Sequence, residues 1–152
     1  MTAANASQIF SESDWDAQEH NWKGKSFYFI PYISLLMKIT GPGRKIEQIR
    51  FESRKNGYKM LNNIILFEYT PFKGKVMVEI EKHDEYDAQV LTFEDDTSID
   101  TLVHRGPISS VGKVVKRLAE RVSGKRSRPP RSTYFWLVTG VGSERSVVFA
   151  IT

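Results

Sequence analysis

The stretch that most constrains the fold is Thr101-Leu-Val-His-Arg-Gly-Pro-Ile-Ser-Ser-Val-Gly-Lys-Val-Val-Lys-Arg-Leu-Ala-Glu-Arg-Val122. It is an apolar run that passes through Gly106-Pro107 directly into helical periodicity. Ile108, Val111, Val115, Leu118 and Val122 fall at i, i+3, i+7, i+10 and i+14, which draws one apolar stripe along a helix and leaves Lys113, Lys116, Arg117 and Arg121 on the other face. Pro107 is expected at the first helical position, where its missing N–H has no partner anyway, and Gly124 is expected to end the helix. An echo lies 65 residues earlier, where Met37-Lys-Ile-Thr-Gly-Pro-Gly-Arg-Lys-Ile46 repeats the strand followed by Gly41-Pro42.

The remaining segments fall into order around these two steps. Residues 26–40 are rich in aromatic and β-branched side chains, as strands are, with Pro31 marking an edge, bulge or turn. Ile46 and Ile49 give 44–58 a helical reading. Residues 62–70 read as a buried strand, 71–74 as a turn, and 75–81 as an alternating strand with Val76, Val78 and Ile80 on one side. The second half repeats this: 89–93 and 98–104 flank a turn, the helix follows, and 133–139 with 145–151 make a last hairpin around 140–143. Phe67-Glu-Tyr-Thr70 corresponds to Trp136-Leu-Val-Thr139. The expected fold is therefore α+β, a duplicated β-α-β-β forming one antiparallel sheet with two helices on one face, the other face being left for a ligand.

Composition sets limits on function. A chain of 152 residues with 40% hydrophobic content fits one domain with a sizeable core. With no cysteine and three scattered histidines, His20, His83 and His104, it offers no disulfide, no cysteine nucleophile and a poor metal set, so neither metal nor cofactor is expected. The most apolar run, 27–37, contains Pro31 and is about half the roughly 20 residues of a bilayer span, and no basic segment precedes an apolar one at the N-terminus. A cytoplasmic location without membrane association is the expectation. The net charge of +4 conceals a segregation: 79–100 holds nine Asp/Glu and one Lys, 105–131 nine Lys/Arg and one Glu. Such blocks either steer a charged partner or serve only as solvated surface. Nucleic acid is a minor alternative, because no base-stacking aromatic is interleaved among the charges of 105–131.

Residues 1–24 are polar and acidic, with isolated Trp15 and Trp22, and read as an arm that the two indoles pin to a domain of 25–152 (repeats about 25–82 and 88–152).

Val103-His-Arg-Gly-Pro107, the amphipathic helix after it and the aromatic strand Tyr134-Phe-Trp-Leu137 resemble the GyrI-like small-molecule-binding family, over roughly 25–152 and most clearly over 89–140. The resemblance implies a duplicated β-α-β-β fold with a pocket at the pseudo-twofold junction, lined by aromatics and often centred on a glutamate. It also implies a role among effector-binding domains of multidrug-responsive regulators, stand-alone gyrase inhibitors or hydrolases of reactive small molecules. The family's Glu-x-Tyr strand is represented here by Ser132-Thr-Tyr-Phe-Trp136, which contains no glutamate. That departure weakens the hydrolase reading.

Four residues are the expected ligand-binding set: Phe67, Glu68, Tyr134 and Trp136. Tyr134 and Trp136 share a strand face and serve either as an aromatic wall for a flat or cationic ligand or as plain core. Glu68, flanked by Phe67 and Tyr69, either supplies the charge the second repeat lacks or is an edge-strand acid paired with a lysine. Strand alternation puts it on the face opposite Phe67 and Tyr69, so the two pocket readings partly conflict. His104 is expected to be a hydrogen-bonded structural residue. The leading expectation is a stand-alone, non-catalytic domain binding an aromatic or amphipathic molecule, cations included. The alternatives are a protein-interaction module and a hydrolase using Glu68.

Overall fold

The computed structural model describes residues 10–35, 38, 39, 41–138 and 144–152. In chain order the elements are α1 (Glu12–Trp15), β1 (Gln18–Asn21), β2 (Ser26–Leu35), β3 (Lys38–Ile39), α2 (Pro42–Lys55), β4 (Met60–Glu68), β5 (Lys73–Ile80), β6 (Val90–Thr92), β7 (Ser98–Arg105), α3 (Val111–Arg126), β8 (Ser132–Val138) and β9 (Arg145–Ile151), with a 3-10 turn at Ile108–Ser110 ahead of α3. The protein is α+β, with antiparallel pairing throughout the strand pairs described. Among the described residues no helix is long and apolar enough to cross a membrane. The hairpin turn expected at 140–143 and the first nine residues of the arm lie outside the described residues.

Two compact units divide the chain: Lys23–Asp96, and Phe10–Trp22 together with Thr97–Thr152. In the first, β5 lies between β4 and β2, and α2 packs across all three. Gly41 enters α2 with φ of 60°, and Pro42 takes the first helical position, where proline costs no hydrogen bond. Asn56, just past the helix, donates to the Tyr28 hydroxyl at 3.1 Å, which marks the helix-covered side of the sheet. Pairing of Tyr28 with Val78, Ile30 with Val76 and Ile65 with Val78 puts all of these on that side, and all are buried. Val76, Val78 and Ile80 thus share a face, as their alternation predicts. Residues 90–92 do not extend the second unit; β6 pairs with the start of β2.

In the second unit β9 lies between β7 and β8, and α3 packs on β7 and β9. The stripe that α3 buries is Val111, Val114, Leu118 and Val122, so Val114 takes the place expected of Val115. Pro107 is not the first helical residue. It is extended, with ψ of 149°, and precedes the 3-10 turn. The helix also runs through Gly124 and ends where Ser127 adopts φ of 59°, because a glycine whose φ stays helical weakens a helix without terminating it.

Residues 10–22 belong to this second unit. β1 pairs with β7, placing Gln18 opposite Thr101 and Asn21 opposite Ser98. Its side chains are mostly exposed, so backbone pairing carries the attachment.

Candidate functional site

The four residues expected from sequence take different positions. Phe67 faces α2 and is fully buried, with its ring edge-on to Tyr32 at 5.7 Å. Glu68, at the end of β4, is half-buried; its Cβ stands 3.2 Å from the position a Gly74 Cβ would take beside the Tyr32 ring, and its Oε1 accepts the Lys75 backbone N–H at 3.1 Å. Phe67 is thus packed away as core, while the Glu68 side chain remains part-exposed.

Tyr134 and Trp136 pair with Phe149 and Val147 on one face of the second sheet. That face lies away from α3, whose Lys125 and Arg126 instead reach Asp100 on the other side. The expected wall is roofed by the arm. Phe10 and Trp15 both stand edge-on to Trp136, at 5.9 and 5.7 Å between ring centres, while Trp15 and Trp22 contact Phe149 at 5.4 and 6.0 Å. Polar contacts fix the roof: Thr101 Oγ1 donates to the Trp15 carbonyl, Val103 N–H donates to Asp16 Oδ1 at 3.0 Å, and Glu12 lies between Arg105 and Arg145. Tyr134 and Trp136 are only 3% and 7% exposed, so in this arrangement they act as core. The tryptophans of the arm were visible in the sequence, but their landing place was not.

A cavity of about 510 Å³ opens in the first unit, lined by Pro31, Tyr32, Ile33, Lys45, Lys73 and Gly74. It was not anticipated from sequence. Ile33, 59% exposed, provides apolar surface. Gly74 lies opposite Tyr32 across the β2–β5 pairing. A Cβ on Gly74 would come within 2.9 Å of Tyr32 Cε1 and 2.7 Å of Thr70 Cγ2, so glycine is what allows the ring to lie against the strand. The Tyr32 hydroxyl donates to the Glu68 carbonyl, and burial first, then the nearby Glu68 carboxylate, pushes its pKa up to about 12. It stays a neutral donor across the physiological range. Lys45 reaches Gln48 at 3.2 Å, and Lys73 lies over the Phe72 ring at 5.8 Å. Among the described residues neither ammonium has a carboxylate partner.

The basic segment 105–131 divides in two. Arg105 pairs with Glu12, and Lys125 and Arg126 pair with both Glu19 and Asp100. Asp100 is buried. Burial raises its pKa, but hydrogen bonds from Lys125 and Arg126 outweigh this and hold it below the ordinary value. Lys113, Lys116, Arg117 and Arg121 are exposed on the outer face of α3.

His104 is buried, with Nε2 2.9 Å from the Pro107 carbonyl and 3.1 Å from Ser110 Oγ. The Ser110 hydroxyl itself lies 2.9 Å from the same carbonyl. One oxygen thus gathers both side chains, which fastens the turn ahead of α3. No group of three or more metal-ligating side chains occurs among the described residues. No family model and no curated protein matches the chain.

Proposed function

We propose that this chain is a non-catalytic small-molecule-binding protein of the GyrI-like type, built from two copies of one β-α-β-β module, and that its ligand is an aromatic or amphipathic molecule with a negatively charged head. The duplication is supported by the shared order within each unit of strand, Gly-Pro, helix, strand, strand, with the third strand between the other two. The observation that carries the ligand reading is the 510 Å³ cavity with Pro31, Tyr32 and Ile33 as apolar surface and the ammonium groups of Lys45 and Lys73 beside it. Apolar walls with a few convergent polar groups are the usual make-up of a ligand site. The lysines redirect the ligand's charge from the cation that a glutamate-centred pocket would take to an anion.

Binding of anilinonaphthalene sulfonate and of dodecanoate, measured by fluorescence and calorimetry, tests this reading. Lys45→Ala and Lys73→Ala should each weaken binding about tenfold, the loss of one charge-assisted contact. Tight binding of quaternary amines, or undiminished binding of the anions by the double variant, would overturn it. Glu68 as a hydrolytic base has less support, because its carboxylate already accepts the Lys75 N–H.

A second reading, a protein-interaction module, is favoured by the cations on the outer face of α3, which engage no acid of the chain among the described residues. An acidic protein surface would complement them. Charge reversal at Lys116, Arg117 and Arg121 should abolish a salt-sensitive association of this kind and leave the cavity unaffected.

A further inference from the structure

We propose that the second unit holds a separate site, at the turn ahead of α3, for a small monocarboxylate with a short apolar tail. A cavity of about 320 Å³ lies there, walled by Pro107, Ile108, Leu137 and Val138, with Ser109 and Ser146 among its polar lining residues.

Two independent features point to an oxygen-bearing ligand. The first is the start of the helix. Ser110 N–H is the first donor to find an acceptor in the turn, the Pro107 carbonyl at 3.0 Å. Proline has no N–H, so the amides of Ile108 and Ser109 come before any carbonyl the helix can offer them, and such groups take up anionic oxygens readily. The second is Ser146, 2% exposed, whose Oγ has no hydrogen-bond partner. Ser146 pairs with Leu137 on one side and His104 on the other, so it stands on the same sheet face as both, the face over which the turn folds. A buried hydroxyl without a partner is an uncommon state that a ligand oxygen relieves, and Ser146 is itself a lining residue of the cavity.

The turn is fixed in place beforehand. His104 and Ser110 hold the Pro107 carbonyl, and Gly106, at φ of 125°, donates its N–H to the Glu144 carbonyl at 3.1 Å. The surrounding charges select the ligand's valence. Arg145, whose guanidinium also pairs with Glu12, lines the cavity together with the exposed residue Glu144. An acidic residue next to Arg145 favours a monoanion over a dianion at this rim. The apolar wall from Pro107, Ile108, Leu137 and Val138 then accommodates a short hydrocarbon tail.

The test is an amide chemical-shift titration of the full chain with sodium 4-methylpentanoate, its neutral amide and inorganic phosphate. The expected result is saturable shifts at Gly106, Ile108, Ser109 and Ser146 with the carboxylate alone, at concentrations up to about 50 mM. Ser146→Ala should weaken binding about fivefold, as loss of one hydrogen bond does, while its thermal midpoint is unchanged or higher because an unsatisfied hydroxyl is removed. Lys45→Ala with Lys73→Ala should leave these shifts as they are, which separates this site from the cavity of the first unit. Absence of saturation, equal binding of the amide or of phosphate, or unaltered affinity in a well-folded Ser146→Ala would overturn the proposal.

Discussion

Trp15 sets its ring edge-on to Trp136, with centres 5.7 Å apart and planes at 72°. Edge-to-face pairs of this geometry contribute beyond the area they bury, and Trp15 also touches His20 and Phe149. One side chain thereby ties the short helix α1 to two strands of the second unit. Trp15→Ala should destabilise the protein by about 3 kcal/mol, the lower end for removing a packed indole, because Trp15 is only partly buried. Urea unfolding measures the loss. Near-ultraviolet circular dichroism should lose the signal of the indole pair under native conditions, and an unchanged spectrum would show that the roof does not depend on this contact.

The Asp100, Glu19, Lys125 and Arg126 cluster should make stability depend on pH at both extremes. Asp100 is held below its ordinary 3.8, where burial opposes and hydrogen bonds from Lys125 and Arg126 prevail, and Glu19 is held below 4.5, chiefly by its hydrogen bond to Lys125. Depressed carboxyl groups stabilise the fold above their unfolded values and lose that contribution as pH falls through the folded ones. Burial works against the charge of Lys125, but the hydrogen bonds to Asp100 and Glu19 prevail and raise it above 10.5. Its contribution is complete below that value and disappears as pH rises through the folded one. Asp100→Asn should therefore cost about 2 kcal/mol at neutral pH, the value of hydrogen bonds to a charged group. The gap between variant and parent should close as acid titrates the cluster. A gap that stays constant through acid would mean that the carboxylate's charge is not what matters.

Gly74 tests the aromatic close to the first unit's cavity. Its added methyl would meet Thr70, Tyr32 and Glu68 at 2.7, 2.9 and 3.2 Å. Gly74→Ala should cost about 2 kcal/mol through overpacking and should shift the Tyr32 ring resonances. A stable variant with unmoved Tyr32 signals would show that the ring and strand do not press on one another as the geometry indicates.

The elements most legible in the sequence were those whose side chains alternate between burial and solvent. Val76, Val78 and Ile80 revealed their shared face, and the apolar stripe of α3 was readable to within one residue at Val114. Segments held by backbone or ion pairs left no such pattern. Gln18–Asn21 has no apolar alternation, so its pairing with Ser98–Thr101 could not be read from it. Asp100 sits in an apolar strand where a charge looks misplaced, and only the fold shows that Lys125 and Arg126, from the last turn of α3, satisfy it. Candidate sites were less legible still, because strand alternation separates faces without saying what covers each. Phe67 and Trp136 are both aromatic strand residues, yet one lies under a helix and the other under the arm.

The arm has a consequence for how the polypeptide is made. Phe10–Trp22 leaves the ribosome well before β7, its pairing partner, exists. In the interval Trp15, Trp22 and Phe10 have no finished surface of the second unit to rest on. The contiguous segment Lys23–Asp96 can condense first, while those rings wait in water until the final hairpin arrives. Synthesis therefore passes through a stage in which this early aromatic segment has not yet met β7, β8 and β9.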